Sequence, residues 1–189
     1  MSLIFVGKHI QNGNLKEVEG LQLNQMAMVV DTDRCIGCHG CEVACFIEKK
    51  LPDSVRLNPL IRIETEIKGA FSLLNFSMRC AHCDNPQCML VCPVRAYKKD
   101  PDGFVIHNVG RCIGCQLCRT CCPYGAPKYN ANNGKVKKCD FCIGRAKRGE
   151  DPQCVAKCIM QALHFGKLGD HLQMLKEKLS YGEGILILQ

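Results

Sequence analysis

Sixteen cysteines hold the chemistry of this 189-residue chain, and they fall into four quartets. The first is Cys35-x2-Cys38-x2-Cys41-x3-Cys45 and the second Cys80-x2-Cys83-x4-Cys88-x3-Cys92. The third is Cys112-x2-Cys115-x2-Cys118-x3-Cys122 and the fourth Cys139-x2-Cys142-x11-Cys154-x3-Cys158, so every quartet closes on the same three-residue gap. Three thiolates in a C-x2-C-x2-C loop suit three corners of an iron-sulfur cube, because a soft anionic donor holds iron in both redox states. The fourth thiolate, at the start of a helix, points away from its own loop and ligates a neighbouring cube. Four quartets therefore predict four 4Fe-4S clusters.

Two other uses of cysteine fit less well. Disulfide frameworks seldom repeat one spacing, and Met1 to Val6 is a short apolar run with neither a basic flank nor a small-residue cleavage site. Structural zinc takes two C-x2-C pairs, whereas the first and third quartets place a third cysteine two residues beyond the second.

A formal charge of +7 would ordinarily suggest nucleic acid or an anionic membrane as partner. An oxidised cube with its thiolates carries about −2, so four contribute roughly −8 and bring the loaded protein near neutrality. With no Trp, 4 Tyr and 7 Phe there is little to stack on bases, and no nucleic-acid partner is expected. No run approaches the roughly 20 apolar residues of a membrane span. The expected location is the cytoplasm, with export alongside a partner as the alternative.

The residues around the thiolates have readable roles. Gly37, Gly40 and Gly114 allow close approach of the backbone, so that amide N–H groups reach sulfur. Pro93 and Pro123 follow closing cysteines, where they would open a helix. Ile159 takes that place in the fourth quartet and predicts a different local geometry or potential for the adjacent cluster. His39 and His82 lie inside full thiolate quartets and are expected to hydrogen-bond locally. Cys121, the seventeenth cysteine, is read as a small buried free thiol. Asp84-Asn85-Pro86 is a turn that widens the second quartet's gap.

The elements that must position these groups show an internal repeat. Cys92-Pro-Val-Arg-Ala96, Cys122-Pro-Tyr-Gly-Ala126 and Cys158-Ile-Met-Gln-Ala162 each set an alanine four residues beyond a closing cysteine, and Arg34-Cys-Ile-Gly-Cys38 recurs as Arg111-Cys-Ile-Gly-Cys115. Tyr97 to Ile106 reads as strand, Asp-Gly turn and strand, which makes quartets two and three one two-cluster unit. Quartets one and four then pair across it, with Met28, Val29 and Val30 and Leu163, His164 and Phe165 as outer strands.

Each closing cysteine serving the partner cluster gives four ligand sets. The first is Cys35, Cys38, Cys41 and Cys158, and the second Cys139, Cys142, Cys154 and Cys45. The third is Cys80, Cys83, Cys88 and Cys122, and the fourth Cys112, Cys115, Cys118 and Cys92.

The fold class expected is α+β, with two bacterial-ferredoxin-like (βαββαβ) modules, one nested in the other. Residues 1–27 are an extension, 28–50 plus 136–168 the outer module and 80–135 the inner one. Residues 51–79 are an inserted β-hairpin, in which Arg62 to Ile67 alternates, Lys68-Gly69 turns and Phe71 to Met78 continues. Residues 169–189 are a helix with Leu172, Leu175 and Leu179 at helical spacing, then an apolar tail, Ile185 to Leu188, that packs on the core or docks on a partner. No nucleotide loop or nucleophile elbow is present, so the chain is expected to be non-catalytic.

The runs Cys35-Ile-Gly-Cys-His-Gly-Cys-Glu-Val-Ala-Cys45, Cys80-Ala-His-Cys-Asp-Asn-Pro-Gln-Cys88, Cys112 to Pro127 and Lys138-Cys-Asp-Phe-Cys142 resemble four-cluster iron-sulfur subunits of molybdenum and tungsten oxidoreductases. The dimethyl sulfoxide reductase electron-transfer subunit is the type nearest in character, and the resemblance covers roughly residues 27–170. It implies the nested pairing and a large pterin-bound molybdenum or tungsten catalytic partner acting on an aldehyde, formate or a sulfoxide or polysulfide. It further implies an exchange partner, which is a redox subunit, a soluble carrier or a membrane anchor. Cys121 and Ile159 depart from that family's usual alanine and proline. A free-standing polyferredoxin is the rival reading, disfavoured because residues 51–79 and both termini exceed what a minimal carrier needs.

Overall fold

Met26–Asp31 (β2) is the most deeply buried strand: Ala27, Met28, Val29 and Val30 expose none of their surface. A strand apolar on both faces belongs in the middle of a layered structure. The computed structural model, which describes residues 3–6, 23–67, 70–180 and 185–188, places β2 inside a four-stranded antiparallel sheet.

On one side β2 pairs with Leu163–Lys167 (β9), with Met28 opposite Phe165 and Val30 opposite Leu163. On its other side lies Ile185–Leu188 (β10), which in turn pairs with Leu3–Val6 (β1). The extreme N-terminal run and the apolar tail are thus sheet strands. Four residues are too few for alternation to declare itself, so sequence offers only generic packing or docking for the tail.

Three two-stranded hairpins complete the β structure. Leu60–Ile67 (β3) and Ala70–Ser77 (β4) form the inserted hairpin, as expected; its turn at 68–69 lies outside the described residues. Asn75 donates to the Cys35 carbonyl at 3.5 Å, which lays this hairpin against the first cysteine loop. Tyr97–Lys99 (β5) pairs with Val105–His107 (β6) across Gly103, at φ +90°. Lys128–Asn130 (β7) pairs with Lys135–Lys137 (β8) across an Asn-Asn-Gly turn that no alternating pattern announces.

The helices are mostly single turns. Gly40–Glu48 (α1) has nine residues, while Gln87–Leu90 (α2), Leu117–Thr120 (α3), Ile143–Ala146 (α4) and Gln153–Ala156 (α5) have four each. After a 3-10 turn, Leu168–His171, the helix Leu172–Ser180 (α6) follows the expected spacing, and its Lys178 reaches buried Asp31 at 2.9 Å. Among the described residues no helix is long and apolar enough to cross a membrane.

The core interleaves apolar and sulfur-bearing side chains. Met28, Val30, Leu57, Phe76, Phe104, Phe141 and Leu163 pack with Cys41, Cys45, Cys80, Cys139 and Cys154 in one cluster. These short elements are held by what they bury, since isolated single turns and three-residue strands have almost no stability of their own.

Candidate metal centres

All four C-x2-C loops share one backbone device. The residue before the second cysteine is left-handed: Gly37 at φ 72°, His82 at 50°, Gly114 at 72° and Phe141 at 51°. That reversal turns two successive cysteines towards one side of the loop. At Gly114 the approach is so close that a Cβ would overlap the Gly134 carbonyl oxygen, so no other residue fits.

The closing cysteines behave differently from expectation. Cys92, Cys122 and Cys158 open tight turns, with hydrogen bonds from Arg95 N, Gly125 N and Gln161 N back to their carbonyls. Pro93 and Pro123 occupy those turns, and no helix begins there; the one-turn helices hold the preceding cysteine of each quartet, Cys88, Cys118 and Cys154. Of the four closing cysteines, Cys45 alone sits within a helix, α1. The fourth turn residue, Arg95, Gly125 or Gln161, is left-handed at 49°, 57° or 50°.

This turn explains the repeated alanines. Ala96, Ala126 and Ala162 donate their backbone N–H to Cys92, Cys122 and Cys158 Sγ at 3.2, 3.4 and 3.2 Å. All three alanines are buried. Ile159 therefore does not change the local geometry, contrary to expectation: the fourth quartet makes the same turn and the same amide-to-sulfur contact. Gly114 N and Phe141 N add contacts to Cys112 and Cys139 Sγ at 3.4 and 3.5 Å.

Three cavities are lined by cysteines drawn from two quartets each. Cys80, Cys83 and Cys88 share one of about 180 Å³ with Cys122. Cys112, Cys115 and Cys118 share a tighter one with Cys92, and Cys139, Cys142 and Cys154 share another with Cys45. The remaining four are also neighbours, since Cys35 feels the charges of Cys41, Cys158 and Cys38.

Among the described residues no three His, Cys, Asp or Glu side chains converge tightly enough to hold a single metal ion. The Cys80 cavity exceeds several times the roughly 30 Å³ of one water molecule. Its size and the thiols of Cys80, Cys83, Cys88 and Cys122 fit a multi-iron core.

Electrostatics supports the same fit. Burial, reinforced by neighbouring thiols, pushes the Cys45 and Cys88 thiols up to about 12 and raises Cys139 as well. Ligation must therefore displace protons. Two buried cations, Arg79 and Lys138, have no carboxylate partner among the described residues. A buried charge without a counter-charge is costly, and an anionic cluster supplies that counter-charge. Elsewhere the described lysines and arginines are exposed or half-buried.

The histidines divide. His39 bonds locally, to Glu42 at 3.0 Å. His82 does not: fully buried, it accepts from Val105 N at 2.9 Å through Nδ1 and donates from Nε2 to the Cys139 carbonyl at 3.1 Å. Burial holds it neutral, well below the usual imidazole range. Cys121 is half-buried rather than buried; it lines the Cys80 cavity and donates only to the Cys118 carbonyl, at 3.5 Å. Tyr97, stacked on His107, sets its buried hydroxyl against Cys118, and burial followed by that thiol holds it above the phenol range. Neither Tyr97 nor Arg79 carries a sequence signal; only burial reveals them.

A family model for the 4Fe-4S dicluster domain matches residues 71–168. The chain is 40% identical over 152 residues to "Probable anaerobic dimethyl sulfoxide reductase chain YnfG" of Escherichia coli K12, covering 76% of this chain and 74% of that one. It is 37% identical to the thiosulfate reductase electron transfer subunit PhsB of Salmonella typhi, over 78% of each chain. It is also 37% identical to a polysulfide reductase chain of Wolinella succinogenes, over 81% of this chain and 82% of that one. The thiols shared crosswise between loops are those of an iron-sulfur protein, and the chain belongs to the 4Fe-4S dicluster domain family.

Proposed function

We propose that this chain is the electron-transfer subunit of an oxidoreductase complex. It conducts single electrons through four 4Fe-4S clusters between a molybdenum- or tungsten-pterin catalytic subunit and a redox partner. The observation that carries this reading is the crosswise lining of three cavities, each by three cysteines of one quartet and the closing cysteine of another.

The ligand sets proposed are Cys35, Cys38, Cys41 and Cys158; Cys139, Cys142, Cys154 and Cys45; Cys80, Cys83, Cys88 and Cys122; and Cys112, Cys115, Cys118 and Cys92. Cubes held there would supply one-electron chemistry. The protein holds the thiolates fixed, so little reorganisation accompanies transfer. Backbone N–H groups aimed at sulfur raise the potential, and the apolar shell around Met28, Phe104 and Phe141 excludes water.

The nested arrangement is also a proposal. Residues 28–50 plus 136–168 form an outer module around an inner one of 80–135, and β8 runs across that boundary. Pairing of β2 with β9 across the intervening chain supports it. The cytoplasm is the proposed location, since seventeen unpaired thiols suit a reducing compartment.

The relatives named above are chains of multi-subunit reductases, which supports a catalytic partner here. Anaerobic affinity purification with metal analysis tests it. A large partner carrying molybdenum or tungsten is expected; a monomer that exchanges electrons with several enzymes would make the chain a free polyferredoxin instead.

A further inference from the structure

Arg79 is the largest fully buried side chain among the described residues, at 1% exposure. It immediately precedes Cys80, yet its guanidinium faces another quartet. Nη1 donates to Cys154 Sγ at 3.4 Å, while Nε and Nη2 are buried without a protein acceptor. A guanidinium cannot shed its proton, so it must carry its charge in the interior. Among the described residues, the anions within its reach are thiolates and what they hold.

Cys154, the thiol it touches, belongs to the proposed ligand set with Cys45, Cys139 and Cys142. The cation is thus anchored in one cysteine loop and aimed at the cluster of another.

We infer that Arg79 holds the reduction potential of the cluster on Cys45, Cys139, Cys142 and Cys154 above the value its other surroundings would give. Reduction adds one negative charge to the cluster, and a fixed positive charge beside it favours the more negative state. An electron arriving from the Cys80 side is therefore drawn across Arg79 into this cluster. Arg79 is a positioning residue in that sense: it acts through the cluster's energy and touches no substrate. The inference rests on the ligand sets proposed above.

The test is an anaerobic redox titration followed by electron paramagnetic resonance on the full complex. Cys154→Ser and Cys45→Ser identify the signal that belongs to this cluster. If they perturb different signals, the ligand set is wrong, and Arg79 is then judged on the Cys154 signal alone. Arg79→Gln keeps an amide donor and removes the charge. It should weaken reduction of this cluster at least tenfold, a fall of about 59 mV for one electron, with the other three potentials unmoved. Arg79→Lys keeps the charge and should lose less than half of that.

An unshifted signal in Arg79→Gln, or an equal shift of all four, overturns the inference. Should Arg79→Gln lose this cluster while Arg79→Lys retains it, the charge is confirmed as the operative feature. Loss in both variants, or equal potentials in both, would make the role one of shape and overturn it.

Discussion

His82 and Phe141 stack with ring centroids 3.9 Å apart and planes 19° from parallel. They hold the same place in two different cysteine loops, the left-handed position that is glycine at 37 and 114. A side chain there costs roughly 1–3 kcal/mol of backbone strain. What offsets it is a joint: the loop of Cys80 and Cys83 is clamped on that of Cys139 and Cys142, with the His82 to Cys139 hydrogen bond alongside.

Phe141→Ala should lose about 3–5 kcal/mol, the usual cost of emptying a buried aromatic site. His82→Ala should lose about 1–3 kcal/mol by stranding the Val105 amide. Denaturant unfolding of both and of the double variant gives their coupling, expected at about 0.5–1.5 kcal/mol. Additive losses would show that the stack joins nothing.

Gly114→Ala should cost one cluster. Its Cβ would meet the Gly134 carbonyl, at a φ of 72° that alanine resists. Iron should fall by about four atoms per chain, with the Cys112 set affected. Gly144→Ala is the contrast: nothing lies within 4 Å of its Cβ, its φ is not positive, and it should leave iron unchanged while gaining about 0.4–1 kcal/mol.

Much of this is legible in the residues. Quartet spacing marks the cluster sites, and Asp-Gly and alternation mark β5–β6 and β3–β4. The alanine repeat is visible too, but its cause, an amide aimed at sulfur, needs the turn. Other features stay hidden because they depend on neighbours distant in sequence. His82 looks local until Val105 and Cys139 close on it. Arg79 looks like any basic residue before a cysteine, and β1 and β10 are too short to announce that they pair. The proline after a closing cysteine reads as a helix start, whereas a proline fixes a turn equally well.

Cys121→Ala should leave iron at about sixteen atoms per chain. Its sulfur makes one weak contact, to a carbonyl, and Cys122 already completes that cavity's set. A loss of about four iron atoms would make Cys121 a ligand.

His107 should impose a pH dependence on stability. Burial, helped by Lys138 and Lys135, lowers its imidazole to about 4. The unfolded chain takes up a proton as pH falls through the ordinary value near 6.5, and the folded chain does not. Stability is therefore full above that value and is lost progressively down to about 4. Denaturation midpoints of His107→Gln should fall less steeply across this window than those of the parent; parallel slopes would contradict it.

The measurement that bears most directly on the whole account is iron and acid-labile sulfide per chain in anaerobically purified protein. Four crosswise thiolate sets predict about sixteen of each. About eight of each, or zinc in place of iron, would contradict it.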